Sequence, residues 1–217
     1  MDRINEISLE GVLPEVFEGD APTPSDVWRC HRVFRRGEFV TVAAGSGTGK
    51  TSMCSFIYGV RRDYVGRISF DSHDISAFGI GAWQELRRRH IAYLPQEMAL
   101  FPELTAMENI CLKNDLTGFV DKTRILQWLD MLGIADKADC PAGRMSVGQQ
   151  QRVGVIRALC QPFDFLILDE PVSHLDAVNN RAVADMVMAQ ARSMEAGVIA
   201  TSVGNHLLLD SGITIYL

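Results

Sequence analysis

Three glycines at alternate positions precede a lysine and two hydroxyl side chains in AGSGTGKTS, residues 44–52. A loop that wraps phosphate needs its backbone N–H groups to converge on the anion, and any Cβ obstructs that approach. Gly45, Ser46, Gly47, Thr48 and Gly49 therefore read as the cradle, Lys50 as the cation reaching the terminal phosphates, and Thr51 as a hydroxyl offered to Mg²⁺. Ser52 continues into a helix whose positive end adds to the attraction. Ala44 takes the first glycine place of the pattern G-x-x-x-x-G-K-S/T, a small loss at a residue of negative φ.

Two further stretches carry chemistry. FLILDE, residues 165–170, is an apolar run ending in two acids. Asp169 at its end suits Mg²⁺ held through water, and Glu170 suits orienting or deprotonating an attacking water. MSVGQQQR, residues 145–152, sets a serine, a glycine and three glutamines ahead of an apolar, helix-like run, with the branched Val147 between Ser146 and Gly148.

The elements that must position these groups alternate between strand and helix. EFVTVAA (38–44) reads as a buried strand leading into the glycine turn and a helix through TSMCSFIYGV. GRISFDSHDI reads as an outer strand with its turn, HIAYLP as a short strand ended by Pro95, and FLILD as a strand covered on both faces. A helix through RAVADMVMAQA and strands GVIATS and GITIYL complete the pattern, which predicts an α/β fold with a mostly parallel, wound sheet. Ligands then bind at the carboxyl ends of the strands. Residues 98–150 read as a helical insertion, with capping-box spacing from Thr105 to Glu108 and an apolar face of Ile125, Trp128, Leu129 and Leu132 stopped by Gly133. One domain over 1–217 is expected, with its core in 1–97 and 151–217.

The totals suit that reading. An apolar content of 47% fits an ordinary core, and a formal charge of -6 argues against a nucleic-acid partner. Arg87, Arg88, Arg89 and His90 form the basic cluster and read as a solvated helix face. Five cysteines without CxxC spacing indicate neither a disulfide framework nor a zinc site and suit a reducing compartment. The acidic N-terminal stretch does not match a signal peptide, and no apolar run approaches the roughly 18 residues of a membrane-spanning helix.

The order AGSGTGKTS, YLPQE, MSVGQQQRVGVIRAL and FLILDEPVSHLD resembles the ATP-binding subunit of an ABC transporter over nearly the whole chain. The look is closest to stand-alone subunits of lipoprotein-release, macrolide-export and cell-division systems. The resemblance implies a P-loop NTPase core with a small antiparallel β part. It also implies a head-to-tail pairing with a second ABC ATPase subunit, as homodimer or heterodimer, around two ATP molecules. Each ATP would lie between the Lys50 loop of one subunit and Ser146, Gly148 and Gln149 of the other. By the same resemblance Gln96 senses Mg²⁺ and the attacking water, and Asp176 contacts the opposite subunit. The insertion would meet an integral-membrane transporter subunit, which would hold the chain on the cytoplasmic face of the membrane. Phe17 is a candidate to stack on adenine, although Phe17 and Trp28 equally suit core aromatics.

Two departures from the family pattern stand out. Val147 replaces the first of two glycines, resisting positive φ and adding bulk near the phosphate. The family histidine after the strand GVIATS is missing, leaving Ser202, Val203 or the more distant His206 for its place. Both predict slower hydrolysis than the family norm, and they leave open a regulatory or scaffolding module that binds nucleotide with little turnover. The chain ends soon after its last strand, so no C-terminal regulatory domain is expected. A DNA-maintenance ATPase would need long coiled coils or a zinc insertion, and small-molecule kinases lack the MSVGQQQR segment.

Overall fold

The computed structural model describes residues 3–19, 24–210 and 212–217. Its elements are β1 (Glu6–Pro14), β2 (His31–Arg35), β3 (Phe39–Ala43), α1 (Lys50–Ile57), β4 (Tyr64–Phe70), β5 (His73–Asp74) and α2 (Ile80–Arg89). There follow β6 (Ile91–Leu94), α3 (Ala106–Asn114), α4 (Lys122–Met131), α5 (Val147–Leu159), β7 (Phe165–Asp169), α6 (Ala177–Met194), β8 (Gly197–Ser202) and β9 (Ile213–Tyr216).

The parallel sheet runs β6-β7-β8-β3-β9, and every pairing in it is parallel. β3, β7 and β8 are buried at every residue and read as nearly continuous apolar runs because both faces are covered, whereas the edge strand β9 is largely exposed. Phe165, Ile167, Val40, Val42 and Ile199 belong to one core, with Met53 and Phe56 of α1, Trp83 and Leu86 of α2, and Ile7, Leu9 and Phe70 of the second sheet. Leu166, Leu168, Val198 and Ala200 belong to the other, with Val153 and Ile156 of α5, Val183 and Val187 of α6, and the insertion helices.

The second sheet is antiparallel in the order β2-β1-β4-β5. It corrects the expectation that GRISFDSHDI is an outer strand: β4 lies inside the sheet, paired to β1 on one side and to the two-residue edge β5 on the other. β1 carries a register shift between Glu10 and Leu13, with Gly11 at φ +60°. Gly66 of β4 faces that bulge, and a Cβ there would lie 2.5 Å from the Gly11 carbonyl oxygen.

Between β6 and β7 the described residues form helices and turns, with one isolated bridge, Thr105 to Pro141. The Thr105 oxygen accepts from the Glu108 N–H at 3.1 Å, and Glu108 accepts from the Thr105 N–H at 2.8 Å, so α3 starts with its capping box closed. Ile125, Trp128, Leu129 and Leu132 are buried, and Gly133 at φ +63° follows the end of α4. α5 runs unbroken from Val147 past residue 150, so one rigid helix spans the expected junction between insertion and core.

The basic cluster is not a solvated face throughout. Arg88 and Arg89 are exposed, but Arg87 lies over the rings of Tyr58 and Trp83 and donates to the Gly59 carbonyl at 3.0 Å. His90 is buried, with Nδ1 2.6 Å from Asp164 Oδ2. The end of α2 packs down onto the sheet, which turns two of its four basic side chains inward.

Candidate nucleotide-binding site

Because β3, β6, β7 and β8 are parallel, the segments that follow them emerge at one edge of the sheet. There a cavity of 480 Å³ is lined by Phe17, Ser46, Gly47, Gly49, Lys50, Thr51, Ser52, Gln96 and Glu170, with Val16 and Arg61 completing it. Gly49 precedes α1 at φ +95°, and a Cβ on it would lie 3.0 Å from Phe17 Cε2 and from Trp28 Cζ2. Glycine is thus required twice over, by conformation and by space. No side chain caps α1, so its first-turn N–H groups stay open to an anion. Ala44 is absent from the residues of positive φ, so its Cβ brings no strain.

Lys50 is buried in this loop, its Nζ donating to the Gly45 carbonyl at 2.6 Å and lying 3.9 Å from Glu170 Oε1. Burial pushes its ammonium below the usual lysine value, opposed by the negative charges of Glu170 and Asp169. Thr51 Oγ1 donates to Gln96 Oε1 at 3.3 Å, joining the loop to the segment after β6. Asp169 is buried; its Oδ1 accepts from Thr201 Oγ1 at 2.6 Å and its Oδ2 has no partner among the described residues. Glu170 sits at φ +51°, with its N–H donating to the same threonine oxygen at 3.1 Å.

Two aromatic candidates separate. Phe17 is half-buried and lines the cavity, whereas Trp28 is buried and uses its indole N–H to hold the Thr48 carbonyl at 2.9 Å. Trp28 is a core residue that fixes the back of the loop.

Ser146, Gly148, Gln149 and Asp176 lie outside the cavity. Ser146 is exposed and begins α5 with a capping box: its Oγ accepts from the Gln149 N–H at 3.3 Å, and Gln149 Oε1 accepts from the Ser146 N–H at 3.0 Å. Val147 occupies the first turn of this helix without positive φ, so the expected backbone conflict does not arise; what remains is an exposed branched side chain. Gly148 carries the steric requirement, because a Cβ there would lie 3.1 Å from the His174 carbonyl oxygen. Asp176 caps α6, accepting from the Asn179 N–H at 2.8 Å, and this bond holds its carboxyl below the usual range.

Sequence reasoning missed three supporting residues. Gln151 of α5 is buried, donates to the Glu170 carbonyl at 3.0 Å and accepts from the His174 N–H at 3.2 Å. Asn205 donates to the Val172 carbonyl at 2.7 Å, holding the same turn from the β8 side. Thr201 bridges both acids, and its only sequence signal was a hydroxyl inside an otherwise apolar strand. At the end of that strand Ser202 is buried and hydrogen-bonded to His206 Nδ1, while Val203 is exposed.

A family model described as ABC transporter matches residues 30–173. This chain belongs to the ABC transporter family. The methionine import ATP-binding protein MetN of Bradyrhizobium diazoefficiens is 35% identical over 76% of the chain, which spans about half, 48%, of that relative. The lipoprotein-releasing system ATP-binding protein LolD 1 of Chlorobium chlorochromatii is 29% identical, with 77% of the chain and 70% of the relative covered. Among solved structures, the dimeric ATP-binding cassette MJ0796 bound to ADP and Pi superimposes with a TM-score of 0.76 over 92% of this chain and 88% of that one, at 22% identity. The ABC cassette fold, with its parallel core sheet, antiparallel sheet and helical insertion, is therefore that of this chain.

Proposed function

We propose that this chain binds and hydrolyses ATP as the ATP-binding subunit of a transporter, closing head-to-tail on a second such subunit. Names of the relatives, among them an import and a lipoprotein-release ATP-binding protein, support the transport role. The observation that carries the pairing is the division of the site. Lys50, Thr51, Gln96 and Glu170 line one cavity, while Ser146 and Asp176 stand exposed outside it, which suits groups that serve a nucleotide on a neighbouring subunit. The capped Ser146 hydroxyl keeps its proton to donate, and the open N–H groups and dipole of α5 point the same polarity outward.

In this reading Gly45, Ser46, Gly47, Thr48, Gly49 and Ser52 wrap the phosphates, Lys50 neutralises the terminal ones, and Phe17 stacks on the base. Thr51, Gln96 and Asp169 hold Mg²⁺; a buried carboxylate oxygen lacking a partner suits a hard cation. When bound, the ion offsets charge that builds on the terminal phosphates. Glu170 accepts a proton from the attacking water, with the Lys50 ammonium 3.9 Å from its carboxylate.

Turnover is slower than the family norm. Ser202 ends β8 without a charge, and one missing donor at a developing charge costs on the order of 3 kcal/mol. The helical insertion, residues 98–150, meets an integral-membrane partner, and no helix among the described residues is long and apolar enough to cross a membrane itself. Glu170→Gln tests the pairing: with ATP it should elute as a stable dimer, and a variant that stays monomeric with ATP and partner present overturns the proposal.

A further inference from the structure

Arg61 lies beyond α1, outside every motif of the phosphate loop, yet it lines the same cavity as Lys50 and Phe17. Its Nη1 donates to Ser52 Oγ at 2.8 Å, the hydroxyl on the first turn of α1. Its Nε donates to Asp63 Oδ1 at 2.9 Å, a second Arg61 nitrogen also meets Asp63, and the guanidinium lies over the Phe56 ring at 5.3 Å. An exposed arginine would normally sample many rotamers; this one is held on three sides with its fork at the cavity wall.

The charge balance gives that placement a purpose. Lys50 and Glu170 face each other within the cavity at 3.9 Å, whereas Asp63, the partner of Arg61, does not line it. Arg61 is the second cation there, set against a ligand of several negative charges. Lys50 and Thr51 serve the terminal phosphates, whereas Ser52 lies one residue further along the helix. We infer that Arg61 is a nucleotide-binding residue, its guanidinium contacting the inner phosphate that Ser52 faces, so that it recognises the part shared by tri-, di- and monophosphates. This inference rests on the nucleotide-site reading above and names a contact that reading lacks.

Titrating the purified full chain with ATP, ADP, AMP and adenosine tests it. Arg61→Ala should weaken ATP, ADP and AMP alike by about three- to thirtyfold, as loss of a partly screened charged hydrogen bond does, and leave adenosine unchanged. Arg61→Lys should recover part of the loss. Asp63→Asn frees the guanidinium without removing it and should leave affinity intact. If Asp63→Asn is as damaging as Arg61→Ala, the pair only braces the loop and the inference fails. It fails equally if Arg61→Ala binds every nucleotide like the parent while Lys50→Ala does not. Should Lys50→Ala also bind ATP normally, the nucleotide-site reading itself falls.

Discussion

Thr201 donates its hydroxyl proton to Asp169 at 2.6 Å and accepts the Glu170 N–H on the same oxygen at 3.1 Å. One side chain from β8 therefore orients both acids at the end of β7. Thr201→Val keeps the shape and removes both bonds, leaving buried polar groups unpaired at about 1–3 kcal/mol. Denaturant unfolding should show that loss, and Mg²⁺-dependent turnover should fall by roughly tenfold or more. Thr201→Ser should restore most of both; a valine variant with parental turnover would exclude this role.

Lys50 is buried beside Glu170, and burial disfavours its charged form. Its lowered pKa means that in alkaline solution below 10.5 the unfolded chain binds more protons than the folded one, and stability rises with pH through that window. Lys50→Met should lose this alkaline gain in thermal melts, and ATP should no longer raise its melting temperature. Retention of the pH dependence in the variant would assign it to another group.

Val147 projects an exposed branched side chain from the first turn of α5, on the face assigned to a neighbour's nucleotide. Val147→Gly, made in the Glu170→Gln background, should tighten ATP-dependent dimerisation in sedimentation experiments. It should also cost up to about 1 kcal/mol of monomer stability through helix propensity. Weaker dimerisation would mean that the valine contributes contact rather than obstruction.

His206 is exposed and bonded through Nδ1 to Ser202 at the carboxyl end of β8. It is the imidazole nearest in sequence to the place where the family pattern has one. Steady-state hydrolysis by His206→Ala should match the parent, because the donor at this place is missing; a several-fold drop would mean that the imidazole fills it. Unchanged turnover removes His206 from the mechanism and leaves Ser202 alone at that position.

The parallel core was legible because its strands advertise themselves: buried on both faces, FLILD and GVIATS leave continuous apolar runs, and glycine and proline mark their ends. β1 was not, since the bulge at Gly11 breaks the alternation that reveals a half-covered strand. Residues acting through loop geometry, Gly49 and Lys50 among them, declared themselves by type and spacing. Gln151, Asn205 and Thr201 act by bonding main chain distant in sequence, and nothing local distinguishes them from any other amide or hydroxyl. Val147 shows the opposite error, in which a residue type suggested strain that a helical first turn does not impose.

The clamp made by Gln151 has a mechanical meaning. It grips the main chain on both sides of the Glu170 turn from a helix whose first residue, four positions earlier, follows Ser146. Any push on the outer tip of that rod arrives at the carbonyl of Glu170 through a single amide, with no flexible loop between to absorb it. In the proposed dimer, contact at that tip would therefore bear directly on the turn that carries Glu170.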